Sequence, residues 1–305
     1  MPKIKISAVI NTRNEAENIF ACLKTLKFCD EIVVVDMESE DKTKEIAAEF
    51  TDRIYDHTMV GYVEPARNFA INKALGDWIF IIDADERVPK TLAARLIEIA
   101  DENTVDFVRI PRKNLVFGQW LQHSRWWPDH NIRFFKKGSV EWHDEIHSVP
   151  VTYGTGLTLP DEPALALEHL HYRTIDEYFT RALRYSSQQA KELIDSGYKF
   201  ERAYLISKPL GEFLSRFFAG EGYKDGLHGL VMAFLQFFSI LLVYLKVWQA
   251  EENPPVKERV FTPVWQTVFR AKFREIHYWF LTTLIQESRS GVRVFFLKLR
   301  RRLLK

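Results

Sequence analysis

Short apolar runs alternate with amphipathic segments along the first hundred residues. The apolar runs span 4–10, 31–36 and 77–83. The segments between them, at 14–26, 39–50 and 64–76, have the composition and spacing of helices. Strands that are buried on both faces of a parallel sheet are apolar throughout, and helices join such strands. The pattern therefore predicts an α/β fold with a Rossmann-like, open and mostly parallel sheet flanked by helices.

Capping residues predict where these helices begin and end. Asn14 is a good N-cap with Glu17 three residues later, and Ser39 or Asp41 caps the second helix. Gly76 closes the third. Further along, residues 88–101 and 174–196 predict helices, and 105–111 predicts a strand.

Polar residues follow the apolar runs. Asn11, Thr12 and Arg13 end the first run, Asp36 ends the second, and Asp83 and Asp85 follow the last. The carboxyl ends of parallel strands meet at one edge of the sheet, where ligands bind. We therefore expect these side chains to line one crevice.

The crevice residues favour a divalent cation and a phosphorylated ligand. Two carboxylates in an Asp-x-Asp turn suit Mg²⁺ or Mn²⁺, which take oxygen ligands and share their coordination with water and phosphate. Asp36 has the chemistry to bind a base or ribose. Arg67 either contacts a phosphate or is a helix-surface arginine paired with Glu64.

Three motifs follow one another along the first part of the chain: VINTRNEAENI, VVVDMESEDKT and ARNFAINKALGDWIFIIDADE. In this order and spacing they resemble family 2 glycosyltransferases with the GT-A fold. The later stretches RWWPDHNIRFFKKG, HLHY and GYKDGLHGLVMAFLQFFSILLVYLKVW are similar to bacterial enzymes that add glucose to the lipopolysaccharide inner core.

This resemblance implies roles for individual residues. The nucleotide sugar, a UDP-sugar by family habit, would be bound by Thr12, Arg13, Glu15, Asp36, Arg67, Asp83 and Ala84. Mg²⁺ or Mn²⁺ would be bound by Asp85 and His171, and Asp83 would face either the ribose or the metal. The sequence does not separate His171 from His169, which lies on the same face of a strand, and a packed strand-end histidine is the alternative for either. The implied reaction is a single displacement with inversion at the sugar.

A hydroxyl nucleophile needs a general base, and the candidates lie in VEWHDEIHSV. Relatives often have Val-His-Glu here, whereas Ser148 occupies the position of that Glu. We expect Asp144 to be the base, followed by Glu145, with Asp129 as a further candidate. A mixed-charge exposed loop is the alternative.

The C-terminal part differs in composition from the rest. Residues 254–305 hold 12 Lys and Arg against 3 Asp and Glu, interleaved with aromatic residues, which is typical of a helix lying on an anionic leaflet. The apolar run 230–245 has 16 residues, fewer than a membrane span needs, so a buried or interfacial helix is favoured. An amphipathic tail packed on its own domain, or a dimer contact, is the alternative. Nucleic acid is not an expected partner, because the basic residues lie on an apolar, aromatic tail.

Three regions are predicted. Residues 1–172 form the catalytic domain (1–110 for the nucleotide sugar, 111–172 for the acceptor), 173–253 form a helical region, and 254–305 form the basic tail. The expected location is the cytoplasmic face of the inner membrane, peripheral or monotopic, with a glycolipid or lipopolysaccharide-core-like acceptor. Transfer to a polyprenyl phosphate, or a nucleotide-binding scaffold without turnover, are the alternatives.

Overall fold

The computed structural model describes residues 6–59, 64–142, 150–250 and 263–303. The chain divides into two compact units. The first comprises Met1–Trp120 and Trp127–His171, and the second comprises Leu121–Trp126 and Tyr172–Lys305. The three-region division given above remains a prediction.

The strands of the described residues follow one another along the first unit. They are β1 (Ile6–Thr12), β2 (Glu31–Asp36), β3 (Ile54–Asp56), β4 (Trp78–Ile81), β5 (Glu86–Arg87), β6 (Phe107–Ile110), β7 (Arg112–Val116), β8 (Gln119–Trp120), β9 (Asn131–Lys136), β10 (Val140–Glu141), β11 (Val151–Thr152), β12 (Gly156–Thr158) and β13 (Leu167–Tyr172). The helices are α1 (Ile19–Lys24), α2 (Thr43–Ala48), α3 (Glu64–Lys73), α4 (Lys90–Glu102), α5 (Ile175–Asp195), α6 (Tyr204–Leu214), α7 (Gly226–Ala250), α8 (Pro263–Glu287) and α9 (Gly291–Arg302).

A seven-stranded sheet forms the centre of the first unit, in the order β12-β6-β9-β4-β1-β2-β3. Strands β1 to β4 run parallel where they pair, whereas β9 is antiparallel to both of its neighbours, β4 and β6. A second sheet has the order β5-β13-β7-β8. The predicted α/β fold with a mostly parallel sheet is confirmed.

The central sheet is buried on both faces. All seven residues of β1 are buried, and alternate residues enter different apolar clusters: Ala8 and Ile10 pack with residues of α1 and α4, and Val9 packs with residues of α3. A strand covered on both sides needs apolar residues at every position, which explains the continuous runs in the sequence.

The first two helices begin later than the capping pattern predicts. Asn14 has a left-handed backbone, with φ of 54°. Its side chain accepts a hydrogen bond from the Glu40 amide at 2.8 Å instead of capping a helix. Helix α1 therefore begins at Ile19, and α2 begins at Thr43 rather than directly after Ser39 or Asp41. Asn14 and Ser39 join the two loops that follow β1 and β2 instead of capping helices, whereas Asp41 Oδ1 accepts a hydrogen bond from the amide of Thr43, the first residue of α2, at 3.0 Å.

The second unit is helical in its described residues after Tyr172. Helix α5 begins at its cap Thr174, whose hydroxyl accepts a hydrogen bond from the Glu177 amide at 3.1 Å. Helix α7 extends beyond the run 230–245 at both ends. Among the described residues, the stretch Gly222–Ala250 that contains α7 is the one with the length and composition to cross a membrane: its most apolar 18-residue window has a mean hydropathy of 2.1, and 28% of that window is buried.

Candidate active site

Three parallel strands bring polar residues to one edge of the central sheet. Thr12 pairs with Asp36, and Asp36 pairs with Asp56, in the register of β1, β2 and β3. Thr12 and Asp36 are both almost fully buried. Ile82 donates its amide to the Val9 carbonyl at 3.1 Å, so the chain that leaves β4 toward Asp83 remains beside β1.

The loops after β1 and β2 are joined by hydrogen bonds. The Asn14 amide donates to Ser39 Oγ at 2.8 Å, and the Ser39 amide donates to Asp36 Oδ2 at 2.9 Å. The Glu15 amide donates to Thr43 Oγ1 at 2.8 Å. The backbone around Arg13 and Glu15 is therefore fixed relative to Asp36, and the exposed Arg13 side chain projects from a held loop.

A pocket of about 300 Å³ adjoins the end of β2. It is lined by Asp36, Glu38, Ser39, Lys44, Asp56, His57 and Thr58. Within the described part of the chain, Asp36 Oδ1 and Thr12 Oγ1 are buried and have no hydrogen-bond partner. Buried polar atoms are normally satisfied, so these two atoms are positioned to bind a polar ligand.

Asp83 lies between two guanidinium groups. Arg133 Nη2 is 2.5 Å from Asp83 Oδ2, and Arg67 Nη2 is 3.7 Å from Asp83 Oδ1. Burial favours the neutral acid, but the positive charges of Arg133 and Arg67 outweigh it and hold the pKa of Asp83 well below its usual range. Asp83 is therefore ionised and already partnered by cations of the chain.

Glu86 is the most deeply buried acid of this cluster. It is 0% exposed, and its Oε1 lies 2.8 Å from Arg133 Nη2 and 3.6 Å from Arg112 Nη1. Its Oε2 accepts a hydrogen bond from the Asp83 amide at 3.0 Å. Glu86 thereby holds the turn on which Asp83 and Asp85 lie. Burial raises the pKa of the Glu86 carboxyl group.

Asp85 lies beside the two histidines of β13. Its Oδ2 is 3.4 Å from His169 Nε2, and its carbonyl accepts a hydrogen bond from the Leu170 amide at 2.9 Å. His171 Nδ1 is 3.4 Å from His169 Nε2, so both imidazoles occupy the same face of the strand. Asp85 and His169 are almost fully buried, and His171 is partly exposed.

A second group of polar side chains lies on β7 and on the segment before β9, and it contacts His169. Arg112 donates to Asp129 Oδ2 from Nε at 2.8 Å and from Nη2 at 2.6 Å, and Asn114 Nδ2 donates to the same oxygen at 3.1 Å. Asn114 Oδ1 lies 2.6 Å from His169 Nδ1. Burial opposes ionisation of Asp129, but Arg112 and these hydrogen bonds lower the pKa of its carboxyl group. A carboxylate held this way is a weak proton acceptor, which argues against Asp129 as the general base.

The donor atoms around Asp85 fit a hard divalent cation. Among the described residues, no group of three or more His, Cys, Asp and Glu side chains is placed to hold a metal ion. A carboxylate and one imidazole nevertheless suffice for Mg²⁺ or Mn²⁺ where the ligand's phosphate oxygens and water complete the coordination. Asp85 with an adjacent histidine meets that requirement.

The first unit therefore brings predicted site residues together. Thr12 and Asp36 end β1 and β2, Asp83 and Asp85 follow β4, and Arg67 on α3 lies 3.7 Å from Asp83. Ala84 is buried between the two aspartates, and Glu15 Oε2 accepts a hydrogen bond from Asn18 Nδ2 at 2.7 Å. The base candidates Asp144 and Glu145, and Ser148, lie outside the described residues.

Four side chains of the site were not assigned by sequence reasoning: Glu86, Arg112, Asn114 and Arg133. Arg133 is 4% exposed and lies within the apolar strand β9, NIRFFK. A charged residue within an apolar strand was the available signal, since such a residue needs a buried partner of opposite charge.

Comparisons with known proteins find similarity to glycosyltransferases. The family model described as Glycosyl transferase family 2 matches residues 7–155. An uncharacterized glycosyltransferase of Rickettsia felis is 29% identical over 256 residues, which cover 80% of this chain and 89% of that protein. The lipopolysaccharide core biosynthesis glycosyltransferase LpsC of Rhizobium meliloti is 27% identical, over 82% of this chain and 94% of that protein. A mannosyltransferase from Pyrobaculum calidifontis, solved in complex with GDP-Man and Mn²⁺, superimposes with a TM-score of 0.43 and 17% identity, over 83% of this chain and 76% of that chain.

Proposed function

We infer, from the premise that this chain is a family 2 glycosyltransferase, that it moves a sugar from a nucleotide sugar to a hydroxyl group of a membrane glycolipid. The transfer is metal-dependent and inverts the anomeric carbon. The acceptor class, a lipopolysaccharide-core-like glycolipid, is supported by the similarity to LpsC over most of both chains. The observation that carries the proposal is the convergence of Thr12 and Asp36 with the Asp83–Asp85 turn at the carboxyl ends of β1, β2 and β4.

The nucleoside binds at the end of β2 in this proposal. Asp36 Oδ1 is buried without a hydrogen-bond partner among the described residues, and Asp36 lines the adjoining pocket, which has a volume of about 300 Å³. Thr12, Arg13, Glu15, Asp83 and Ala84 complete the contacts to the nucleotide sugar. UDP is the favoured nucleotide because of the family resemblance.

Replacing Asp36 with alanine is expected to weaken UDP binding by about 10- to 100-fold, because a hydrogen bond to a charged group contributes about 1.5–3 kcal/mol. Isothermal titration calorimetry of the purified protein measures this affinity. Asp101→Ala on the exposed side of α4 is the matched control and is expected to bind as the wild type does. Equal UDP affinity in Asp36→Ala and wild type would remove Asp36 from the nucleotide site.

Arg67 binds the diphosphate. Its guanidinium lies 3.7 Å from Asp83 and 5.9 Å from the ring centroid of Trp142, and its side chain is 19% exposed. A guanidinium is a bidentate donor that matches phosphate oxygens, so a bound diphosphate competes well with the long contact to Asp83.

Asp85 and His171 would hold the divalent cation, which when bound would supply positive charge to offset the negative charge that develops on the departing diphosphate. The acceptor hydroxyl passes its proton to a general base as it attacks the anomeric carbon. Asp144, followed by Glu145, is the proposed base. The chain enters this segment from Trp142, whose carbonyl accepts a hydrogen bond from Asn68 Nδ2 at 2.7 Å on the helix that carries Arg67.

A panel of nucleotide sugars tests the function as a whole. UDP-sugars with Mn²⁺ are expected to raise the melting temperature of the protein, since a ligand that binds only the folded state stabilises it. Incubation with the matching donor should then yield inverted product on a lipid-linked saccharide. Product on polyprenyl phosphate, with Asp144→Ala and Glu145→Ala both fully active, would replace the proposed acceptor. Binding without turnover of any donor would indicate a nucleotide-binding scaffold.

We further propose that the second unit attaches the enzyme to the cytoplasmic face of the inner membrane. Residues 1–172 would then be the catalytic domain, 1–110 serving the donor and 111–172 the acceptor. Residues 173–253 would form the helical region, and 254–305 the basic membrane-binding tail. A membrane location suits an acceptor that is itself a lipid.

Helix α9 supports the membrane attachment. Five apolar residues in and directly after the helix are each at least 50% exposed, and their helical spacing places them on one face. They are Val292, Phe295, Phe296 and Leu299 of α9 and Leu303, which follows its last residue. Arg293 and Arg300 follow on one side of this face, and Lys298 and Arg302 on the other. Arg301 points instead toward α8, where its Nη1 donates to Thr282 Oγ1 at 3.2 Å. An exposed apolar face bordered by cations is suited to the headgroup layer of an anionic leaflet.

Changing Lys298, Arg300 and Arg302 together to glutamine is expected to weaken binding to phosphatidylglycerol-containing vesicles by about 100-fold, at about 1 kcal/mol for each cation near the surface. Vesicle co-sedimentation measures the partition coefficient, and deletion of 256–305 should remove the remaining binding. The matched control changes three exposed lysines of the first unit, Lys27, Lys42 and Lys90. If both triple variants sediment equally, the tail is not the anchor.

A further inference from the structure

Helix α7 is apolar both on the side that packs against its own unit and on the opposite side. Its exposed apolar residues, Leu227, Phe234, Phe238 and Leu245, are between 36% and 72% exposed. They are separated by 7, 4 and 7 residues, which are close to whole helical turns, so they form one line along the helix. We name these four residues the α7 line. The buried residues of α7 lie on the other side: Gly229, Met232, Ala233, Leu235, Val243 and Val247.

The composition of the α7 line is unusual for a helix that faces water. A surface helix of a globular protein carries polar residues opposite its buried side, and a helix that is apolar on all sides is surrounded by protein or by lipid. The α7 line is not surrounded by protein, because its side chains are exposed. Apolar residues that form a continuous exposed patch mark an interaction surface, unlike single exposed apolar residues.

We propose that α7 lies flat in the membrane surface, with the α7 line in the outer part of the acyl layer and the buried side packed on its own unit. The enzyme is then monotopic, because α7 enters one leaflet and does not cross the bilayer. The proposal rests on the membrane attachment proposed above, to which it adds a second inserting element besides the basic tail. The length and composition of the helix alone would also allow a span.

Helix α5 runs beside the C-terminal half of α7, on a side away from the α7 line. The hydroxyl groups of Tyr178 and Ser239 are hydrogen-bonded at 2.6 Å. One helical segment further along, Lys246 Nζ donates to the Leu183 carbonyl at 2.7 Å and to Ser186 Oγ at 2.8 Å. Because the contacts advance in chain order on both helices, α5 and α7 run side by side in the same direction.

The outer side of α5 is charged, which argues against a span by α7. Asp176 and Arg184 are exposed and lie on the part of α5 that runs beside α7. If α7 crossed a bilayer, α5 would carry these charges into the acyl layer, where ionised side chains are costly and rare. If α7 lies parallel to the membrane surface, α5 stays on the aqueous side and the α7 line alone reaches the lipid. The flat orientation is therefore the one that suits both helices.

The charge of the second unit favours lipid over a second copy of the chain as the occupant of the α7 line. Residues 254–305 hold 12 Lys and Arg against 3 Asp and Glu. A second copy would bring another tail of the same charge close to the first. A leaflet of anionic lipid offers acyl chains to the α7 line and negative headgroups to the tail.

Site-directed spin labelling distinguishes a flat helix from a span. A genetically encoded keto amino acid at each position of the α7 line, coupled to a nitroxide, leaves Cys22 and Cys29 unmodified. Electron paramagnetic resonance then measures the depth of each label in vesicles of phosphatidylethanolamine and phosphatidylglycerol, from its collisions with oxygen and with a water-soluble nickel complex. All four labels are expected at one depth, about 5–10 Å into the boundary between headgroups and acyl chains.

A span would give a different depth profile. The label at position 238 would lie about 16 Å deeper than the label at position 227, because each residue advances about 1.5 Å along the helix. That profile would overturn the proposal. A label at Lys191, on the exposed side of α5, is the control and is expected to remain accessible to the nickel complex. A lipid-buried label at this position would also contradict the flat orientation.

Phe238→Ser is expected to weaken binding to the same vesicles by about 10- to 100-fold, because it removes an apolar side chain that leaves water on insertion. Vesicle co-sedimentation measures the partition coefficient. Leu227→Ser repeats the test at the other end of the line, at a position that is 72% exposed and therefore tolerant of substitution. Ile194→Ser on α5 is the matched control, because Ile194 is 41% exposed and Phe238 is 44% exposed. It should sediment as the wild type does.

The outcomes separate the flat helix from the membrane attachment itself. If the wild type does not sediment with anionic vesicles, the attachment fails. If the wild type sediments, and Phe238→Ser and Leu227→Ser sediment equally well with labels that stay in water, the attachment stands through the tail and the proposal for α7 is wrong. Broadening of the spectra by spin labels of neighbouring molecules would show that a second copy covers the line, which would also overturn the proposal.

Discussion

Asp85→Ala is expected to reduce sugar transfer by about 10³-fold, the upper range for removal of one group that stabilises charge in the transition state. The carboxylate lies on a buried turn beside His169, and the neighbouring acid Asp83 is already engaged by Arg133 and Arg67. Initial rates measured with saturating donor, acceptor and Mn²⁺ give the loss in turnover.

Asp101→Asn controls for removal of an acid elsewhere in the first unit. Circular dichroism of Asp85→Ala should match that of the wild type, because the contact of Asp85 with His169 is 3.4 Å long, whereas Glu86 forms a 2.8 Å ion pair with Arg133. A folded Asp85→Ala protein with wild-type turnover would contradict the metal-site assignment. Choosing a different general base would not change that conclusion.

Arg133→Met is expected to destabilise the protein by about 3–5 kcal/mol, because removing one partner of a buried ion pair leaves uncompensated charge. Arg133 contacts both Asp83 and Glu86, and Glu86 has no exposed surface through which water could solvate it. With a change of about 2–4 °C per kcal/mol for a unit of this size, the melting temperature should fall by about 10 °C. Thermal unfolding followed by far-ultraviolet circular dichroism measures the shift.

Arg95→Met is the matched control for this substitution. Arg95 also contacts two acids, Glu98 and Glu102, but on the exposed surface of α4, where a pair contributes at most about 1 kcal/mol. Similar melting temperatures for Arg133→Met and Arg95→Met would mean that Glu86 is neutral in the folded protein and needs no cation.

The central part of the fold was predictable because burial on both faces leaves a strong pattern. The run EIVVVD became β2 with the predicted bounds, and DWIFIID contains β4. Strand β3 was missed because it has three residues and one of them is acidic. The start of α1 was misplaced because Asn14 forms a hydrogen bond between loops, and this tertiary contact replaces the local capping that the sequence suggests.

The candidate site was predictable only as far as it depends on parallel strands. Asp36, Asp83 and Asp85 could be grouped because strands joined by helical crossovers end at one edge. Arg133 could not be grouped with them, because β9 enters the sheet antiparallel between β4 and β6 and chain order does not reveal that insertion. Asn114 carried no signal at all, since a single asparagine within a strand is common on a polar face.

The insertion of β9 also has a consequence for how the protein is made. Glu86 is translated 47 residues before the arginine that neutralises it in the sheet interior. When a nascent chain contains β1 to β5 but not β9, Glu86 has no Arg133 to pair with. This half of the sheet therefore cannot bury Glu86 favourably until β9 has been synthesised. Fragments that end near residue 110 should consequently be poor stand-alone proteins, and a shortened version for structural or engineering work has to retain the polypeptide at least through Lys136.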